Sequence, residues 1–118
     1  LDWLTRDAAE VDAYIADPLC NTPLTTQAWV DLLDGKATLG SASLLQRMPK
    51  ALPIHLIAGS CDPVGENGRG LQRLLTSLQA ASLTRVSMRL YPGARHELLN
   101  EINRDEVMAD LIGWLEQT

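Results

Sequence analysis

Residues 52–65 read LPIHLIAGSCDPVG, and the fold turns on them. The segment IHLIAG, residues 54–59, is a near-continuous apolar run of strand length, preceded by Pro53 and followed by a Gly-Ser turn. A strand that is apolar on both faces needs cover on both faces, which is the setting of a buried parallel strand. An aspartate, Asp62, follows in the turn.

Downstream, residues 67–83 read NGRGLQRLLTSLQAASL and place Leu71, Leu74, Leu75 and Leu78 at i, i+3, i+4 and i+7. That spacing predicts a helix with one apolar face. RVSMRLY, residues 85–91, alternates Val86, Met88 and Leu90 with polar residues, the pattern of a half-buried strand. LYPGARHELLNE, residues 90–101, then places His96 on a turn opened by Pro92-Gly93. Residues 103–117 predict a closing helix with Asn103 as its cap and Asp105 and Glu106 complementing the dipole in the first turn. Val107, Leu111 and Trp114 or Leu115 form its stripe. Residues 51–118 therefore read as a βαβ unit with parallel strands and a following helix.

Nothing in the first 50 residues looks like a strand. TRDAAEVDAYIAD, residues 5–17, predicts a short helix capped by Thr5 or Asp7, with Val11, Tyr14 and Ile15 on one face. DPLCNTP breaks it, because Pro18 and Pro23 cannot continue a helix. TTQAWVDLLD, residues 25–34, predicts a second helix, capped by Thr25 or Thr26, striped by Trp29, Leu32 and Leu33, and stopped by Gly35. GSASLLQRM, residues 40–48, predicts a third before Pro49. Short helices with proline-rich joints suit a cap or lid over residues 1–50.

The chain has 118 residues, enough for one domain, and is 46% hydrophobic and 21% charged, an ordinary globular balance. Its net charge of −5, with no run of Lys or Arg, argues against nucleic-acid binding. No apolar stretch approaches the roughly 20 residues of a membrane span. Asp2, Arg6, Asp7 and Glu10 interrupt any signal-peptide core. Cys20 and Cys61 have no CxxC spacing and read as free thiols in a reducing, cytoplasmic setting, or as at most one disulfide. The chain begins at Leu1 without an initiator Met, and reads as a piece of something longer or as a processed product.

In a parallel sheet, functional groups gather on loops leaving the C-terminal ends of the strands. Asp62 lies on one such loop and His96 on the next, one strand-helix-strand unit later. On neighbouring strands they would meet, the carboxylate fixing the imidazole tautomer and leaving the other nitrogen as a general base. On spacing alone, a turn aspartate and a surface histidine are the commoner outcome.

PIHLIAGSCDPVG, MRLYPGARHELLNE and VMADLIGWLE together resemble the C-terminal part of an α/β-hydrolase. The resemblance is to the lysophospholipase and monoacylglycerol-lipase-like branch, also called serine aminopeptidase-type hydrolases. In that branch the penultimate strand ends in G-x-x-D-x-V, which carries the triad acid, and a Y-x-G-x-x-H-E turn carries the base. Asp62 matches the acid and His96 the base, in the Ser…Asp…His order of the fold. DWLTRDAAEVDAYIADPLC, residues 2–20, is similar to the segment that enters or lies within the helical cap. The resemblance implies an α/β fold, with a cap piece over residues 1–50 and the last two parallel strands and their helices over residues 51–118. It implies a small-molecule ester substrate and no cofactor.

The G-x-S-x-G elbow that presents the nucleophile in this fold is missing. Gly40 directly precedes Ser41 with the wrong spacing, and Ser43, Ser60, Ser77, Ser82 and Ser87 fit no better. The oxyanion-hole loop is also missing. The expectation is a serine hydrolase piece supplying acid and base only, its serine upstream of Leu1. The alternative is a non-catalytic α/β piece that self-associates as a homo-oligomer or binds a missing N-terminal half, because two strands leave edges and faces open. A flavodoxin-like or receiver-like domain would need a phosphate loop or an acidic cluster at the first strand, and neither is visible.

His55, inside the apolar strand, reads as a core or sheet-face histidine rather than a ligand. Cys20, His55, Cys61 and His96 have no zinc spacing. Cys61 shares the loop of Asp62, so a nucleophilic role is not expected of it. Glu97 belongs either to the site or to a helix start, and Arg95 reads as a hydrogen-bonding surface residue. Trp3, Trp29, Leu32 and Leu33 would line an acyl pocket or simply pack in a core.

Overall fold

The computed structural model describes residues 1–20, 22–39 and 41–118. Among these residues five α-helices and two strands follow in the order α1 Ala8–Ala16, α2 Thr26–Leu39, α3 Ala42–Arg47, β1 Ile54–Gly59, α4 Arg69–Ala80, β2 Val86–Tyr91 and α5 Arg104–Glu116. A 3₁₀ turn, Leu98–Asn100, precedes α5. The strands pair in parallel, with Ile54 opposite Val86 and Gly59 opposite Tyr91. Both strands therefore end at the same edge, and the loops carrying Asp62 and His96 leave it side by side.

Side-chain alternation along the strands divides the core into two layers. On one face Ile54, Leu56 and Val86 pack against Leu45 of α3, Leu78 of α4, Ala81 and Leu83. On the other, Ile57 and Tyr91 pack with Ala94, Leu98, Val107 and Leu111, which brings α5 onto the sheet. The run IHLIAG is covered on both faces, as its composition requires. His55 lies on the α5 face, where its ring stacks on Trp114 with centroids 5.4 Å apart and its Nδ1 meets Ser87 Oγ at 2.7 Å.

Several expected helix ends move. The first helix begins at Ala8, and Asp7 is its cap, Oδ1 accepting from Ala9 N–H at 3.1 Å. Thr5 is buried and donates instead to Asn100 O at 2.8 Å. The second helix runs through Gly35 to Leu39. Gly35 does not take the left-handed φ that ends a helix, no proline follows it before Pro49, and one mid-helix glycine costs only about 1 kcal/mol. Asn103 stands at the start of α5 but makes no capping bond. Its Oδ1 accepts from Arg6 Nη2 at 2.8 Å and its Nδ2 donates to Glu106 at 2.8 Å. Asn21, in the expected break, and Gly40, opening the expected third helix, lie outside the described residues.

Neither α1 nor α2 buries a residue. The expected stripe of Trp29, Leu32 and Leu33 is exposed, at 51%, 46% and 58%. Among the described residues no helix is long and apolar enough to cross a membrane.

Candidate active site

Two loops build the site, and each is held by its own backbone. After β1, Asp62 N–H donates to Gly59 O at 3.2 Å, and Asn67 N–H donates to Asp62 O at 2.8 Å. Asp62 Oδ1 accepts from Val64 N–H at 2.9 Å, the local bond expected of an aspartate in a turn. The second oxygen remains free for another partner. Asp62 is only 6% exposed, so that oxygen has few alternatives to a protein donor.

The donor is His96. Its Nδ1 lies 3.1 Å from Asp62 Oδ2. The two expected residues are thus brought together, and the turn role of Asp62 coexists with the contact because each uses a different oxygen. An ionised carboxylate only accepts, so the pairing assigns the ring proton to Nδ1 and leaves Nε2 as a proton acceptor. The Asp62 side chain is 8% exposed and that of His96 39%, so the acid is enclosed while the imidazole keeps an open side.

The loops also bind each other. Cys61 N–H donates to Ala94 O at 2.9 Å, Ser60 N–H to Tyr91 O at 3.0 Å, and Gly93 N–H to Ser60 Oγ at 2.8 Å. Gly93, with φ of 72°, makes the turn after β2. Between Asp62 and α4 the chain turns through Glu66, Asn67 and Gly68, all at positive φ.

The first seven residues form the third wall. His96 N–H donates to Trp3 O at 3.3 Å and Glu97 N–H to Leu4 O at 2.8 Å. The Trp3 ring lies against the imidazole, centroids 5.1 Å apart and planes at 55°. Arg95 Nη1 donates to Thr5 O at 3.0 Å. Among the described residues no ring stacking joins Trp29 to Trp3 or His96.

Glu101 borders the candidate site and is not marked by local sequence pattern. It is fully buried, and its carboxylate accepts from Arg95 N–H at 2.7 Å, Arg6 Nε at 2.8 Å, and the N–H groups of Arg6 and Ile102 at 3.2 Å each. Burial alone would push its carboxyl up. The bonds from Arg95, Arg6 and Ile102 outweigh burial and hold it below its ordinary value. Glu97, the acid next to His96 in sequence, instead accepts from Asn100 Nδ2 at 2.9 Å beside the 3₁₀ turn.

None of the six serines hydrogen-bonds His96 among the described residues. Ser87 is engaged with His55, Ser60 with Gly93 N–H, and Ser77 with Arg73 O.

Residues 1–103 match the family described as serine aminopeptidase, S33. The chain belongs to that family. A curated relative, the monoglyceride lipase of Mus musculus, is 30% identical over 116 residues, which are 95% of this chain and 35% of that protein. The S33 chain thus spans about a third of that relative's length. Among solved structures, a thermostable carboxyl esterase from Bacillus coagulans in complex with glycerol superposes with a TM-score of 0.88 at 29% identity, covering 98% of this chain and 38% of the other. A lipase in its open form gives 0.78 at 32% identity, covering 92% and 36%. The monoacylglycerol lipase of Paleococcus ferrophilus gives 0.76 at 22% identity over 97% and 42%, a likeness of fold. The S33 chain thus has the α/β-hydrolase fold, and its helices and two parallel strands correspond to a C-terminal segment of it.

Proposed function

We propose that this chain is the C-terminal portion of a serine hydrolase that cleaves carboxylic esters of lipid-like monoacyl substrates. Asp62 is the triad acid and His96 the triad base. The observation that carries the reading is the 3.1 Å contact from His96 Nδ1 to Asp62 Oδ2, with Asp62 Oδ1 already engaged by Val64 N–H. The names of the relatives, a monoglyceride lipase and a carboxyl esterase with glycerol, support a small ester of a polyol.

The serine and the oxyanion hole come from the part of the fold that precedes residue 1. The serine hydroxyl gives its proton to His96 Nε2 as its oxygen attacks the ester carbonyl. The tetrahedral intermediate collapses, the C–O bond to the alcohol breaks, and His96 returns that proton to the departing alcohol. A water then gives a proton to His96 and attacks the acyl-serine. The acid leaves and the serine recovers its proton. Asp62 holds the ring and stabilises the imidazolium formed twice in the cycle. Residues 1–50 act as the cap, and the exposed Trp29, Leu32 and Leu33 of α2 supply apolar surface for the acyl chain.

The test is fluorophosphonate labelling of the full-length hydrolase together with His96→Ala. Expected are labelling of a serine outside these 118 residues and a fall in turnover of several orders of magnitude, about the loss seen on removing a triad member. Unchanged ester hydrolysis by His96→Ala would sink the assignment.

A second reading rests on the sheet. Among the described residues β1 pairs only with β2, which leaves β1 one open edge. In this reading the chain is a non-catalytic partner that binds a separate N-terminal half or a second copy of itself. A single unlabelled 12.9 kDa species eluting as a dimer would favour it.

A further inference from the structure

We propose that Glu101 is a positioning residue for His96, acting through Arg6; this rests on the reading of His96 as the base. Three consecutive N–H groups around the imidazole are held. Arg95 N–H donates to Glu101 Oε1, His96 N–H to Trp3 O, and Glu97 N–H to Leu4 O. One of the three bonds is made by Glu101 itself. The other two depend on residues 3 and 4, which lie directly before the point where Glu101 holds the chain. There Arg6 donates to the same carboxylate twice, from N–H to Oε1 and from Nε to Oε2.

One buried side chain therefore ties the loop after β2 to the segment preceding α1. It bridges residues 95 positions apart and closes a frame around His96. The same frame carries Trp3, whose ring lies against the imidazole with centroids 5.1 Å apart. A buried ion pair in a core is weak evidence of a stabilising role, since an apolar pair often does as well. This one lies in the loop that aims the imidazole, and its acceptor sites face backbone N–H groups of that loop. A base displaced by about 1 Å loses on the order of 10²-fold in rate, so a rigid frame has a direct catalytic effect.

The experiment uses the full-length hydrolase with ¹⁵N-labelled histidine and compares Glu101→Gln, Arg6→Met and Asp62→Asn with the parent. Ring ¹⁵N shifts and the Hδ1 resonance of His96 report tautomer and hydrogen bond, and steady-state kinetics separate kcat from KM. The glutamine places an NH₂ group against N–H donors. If that variant does not fold, Arg6→Met decides, because Arg6 is partly exposed and its loss leaves Glu101 its backbone donors. The expected result is a broadened or lost Hδ1 signal and a kcat lower by roughly 10- to 100-fold with KM little changed. A lower melting temperature with His96 signals and kcat unchanged overturns the proposal and leaves Glu101 a structural ion pair. If Asp62→Asn also leaves the His96 signals and kcat unchanged, the reading of the site itself fails.

Discussion

Gly59, the last residue of β1, faces the carbonyls of Ala94 and Arg95 so closely that a Cβ on it would lie 2.1 Å from Ala94 O and 2.3 Å from Arg95 O. The loop with Asp62 and the loop with His96 meet at this point, and only a residue without a side chain lets them. Cys61 N–H bonds Ala94 O two residues further along.

Gly59→Ala is therefore expected to push the loops apart. The atoms in the way are backbone, which cannot rotate aside, so the cost lies at the upper end of overpacking, about 3 kcal/mol. Urea unfolding measures that loss. The His96–Asp62 contact, read from the Hδ1 resonance, should fail in the same variant even where it remains folded.

Gly35→Ala runs the other way. Gly35 lies inside α2 at a helical, not left-handed, φ, and nothing stands within 4 Å of a Cβ there. Alanine should stabilise α2 by about 0.5–1 kcal/mol, through a smaller loss of backbone entropy on folding. Far-ultraviolet circular dichroism and the unfolding midpoint check it, and a loss of helicity would contradict the continuous α2.

Tyr91 predicts an alkaline limb to the stability curve. Its ring is fully buried at the end of β2, and its hydroxyl donates to Asp110 Oδ2 at 3.0 Å. Burial, then the Asp110 bond, raises the phenol from 10.0 to about 12. The folded value lies above the unfolded one, so this contribution is whole below pH 10 and is lost as pH rises through about 12. Tyr91→Phe should flatten that limb of a denaturation series, while Asp110 Oδ2 keeps its 2.9 Å ion pair with Arg89.

Much of the candidate site's geometry was legible because its parts are local. IHLIAG is apolar on both faces, RVSMRLY alternates, and each is followed by a turn that a proline or glycine marks, so strands and loops can be placed from nearest neighbours. The interval between Asp62 and His96 equals one βαβ unit, which puts them on neighbouring loops once the strands are parallel. Gly35 is not the stop its position suggests, because a glycine's effect depends on the φ it adopts, and the residues downstream of Gly35 continue the helix to Leu39. Asn103 stands at a helix start as its neighbours imply, but its oxygen is claimed by Arg6 from 97 residues away.

Local pattern was enough for the alternation of strand and helix, the two loops and the residue types on them. It took the folded chain to set Asp62 with one oxygen on its own turn and the other on His96, and to make Gly59 the gap through which the loops touch. Folding also makes Glu101 a buried hub rather than a surface acid. Its partner Arg6 is 95 residues away, and nothing in a local pattern of charge or period marks a bond of that range. Periodicity reports which face of an element is covered. It does not report which distant backbone groups arrive there, because those depend on how the chain returns on itself.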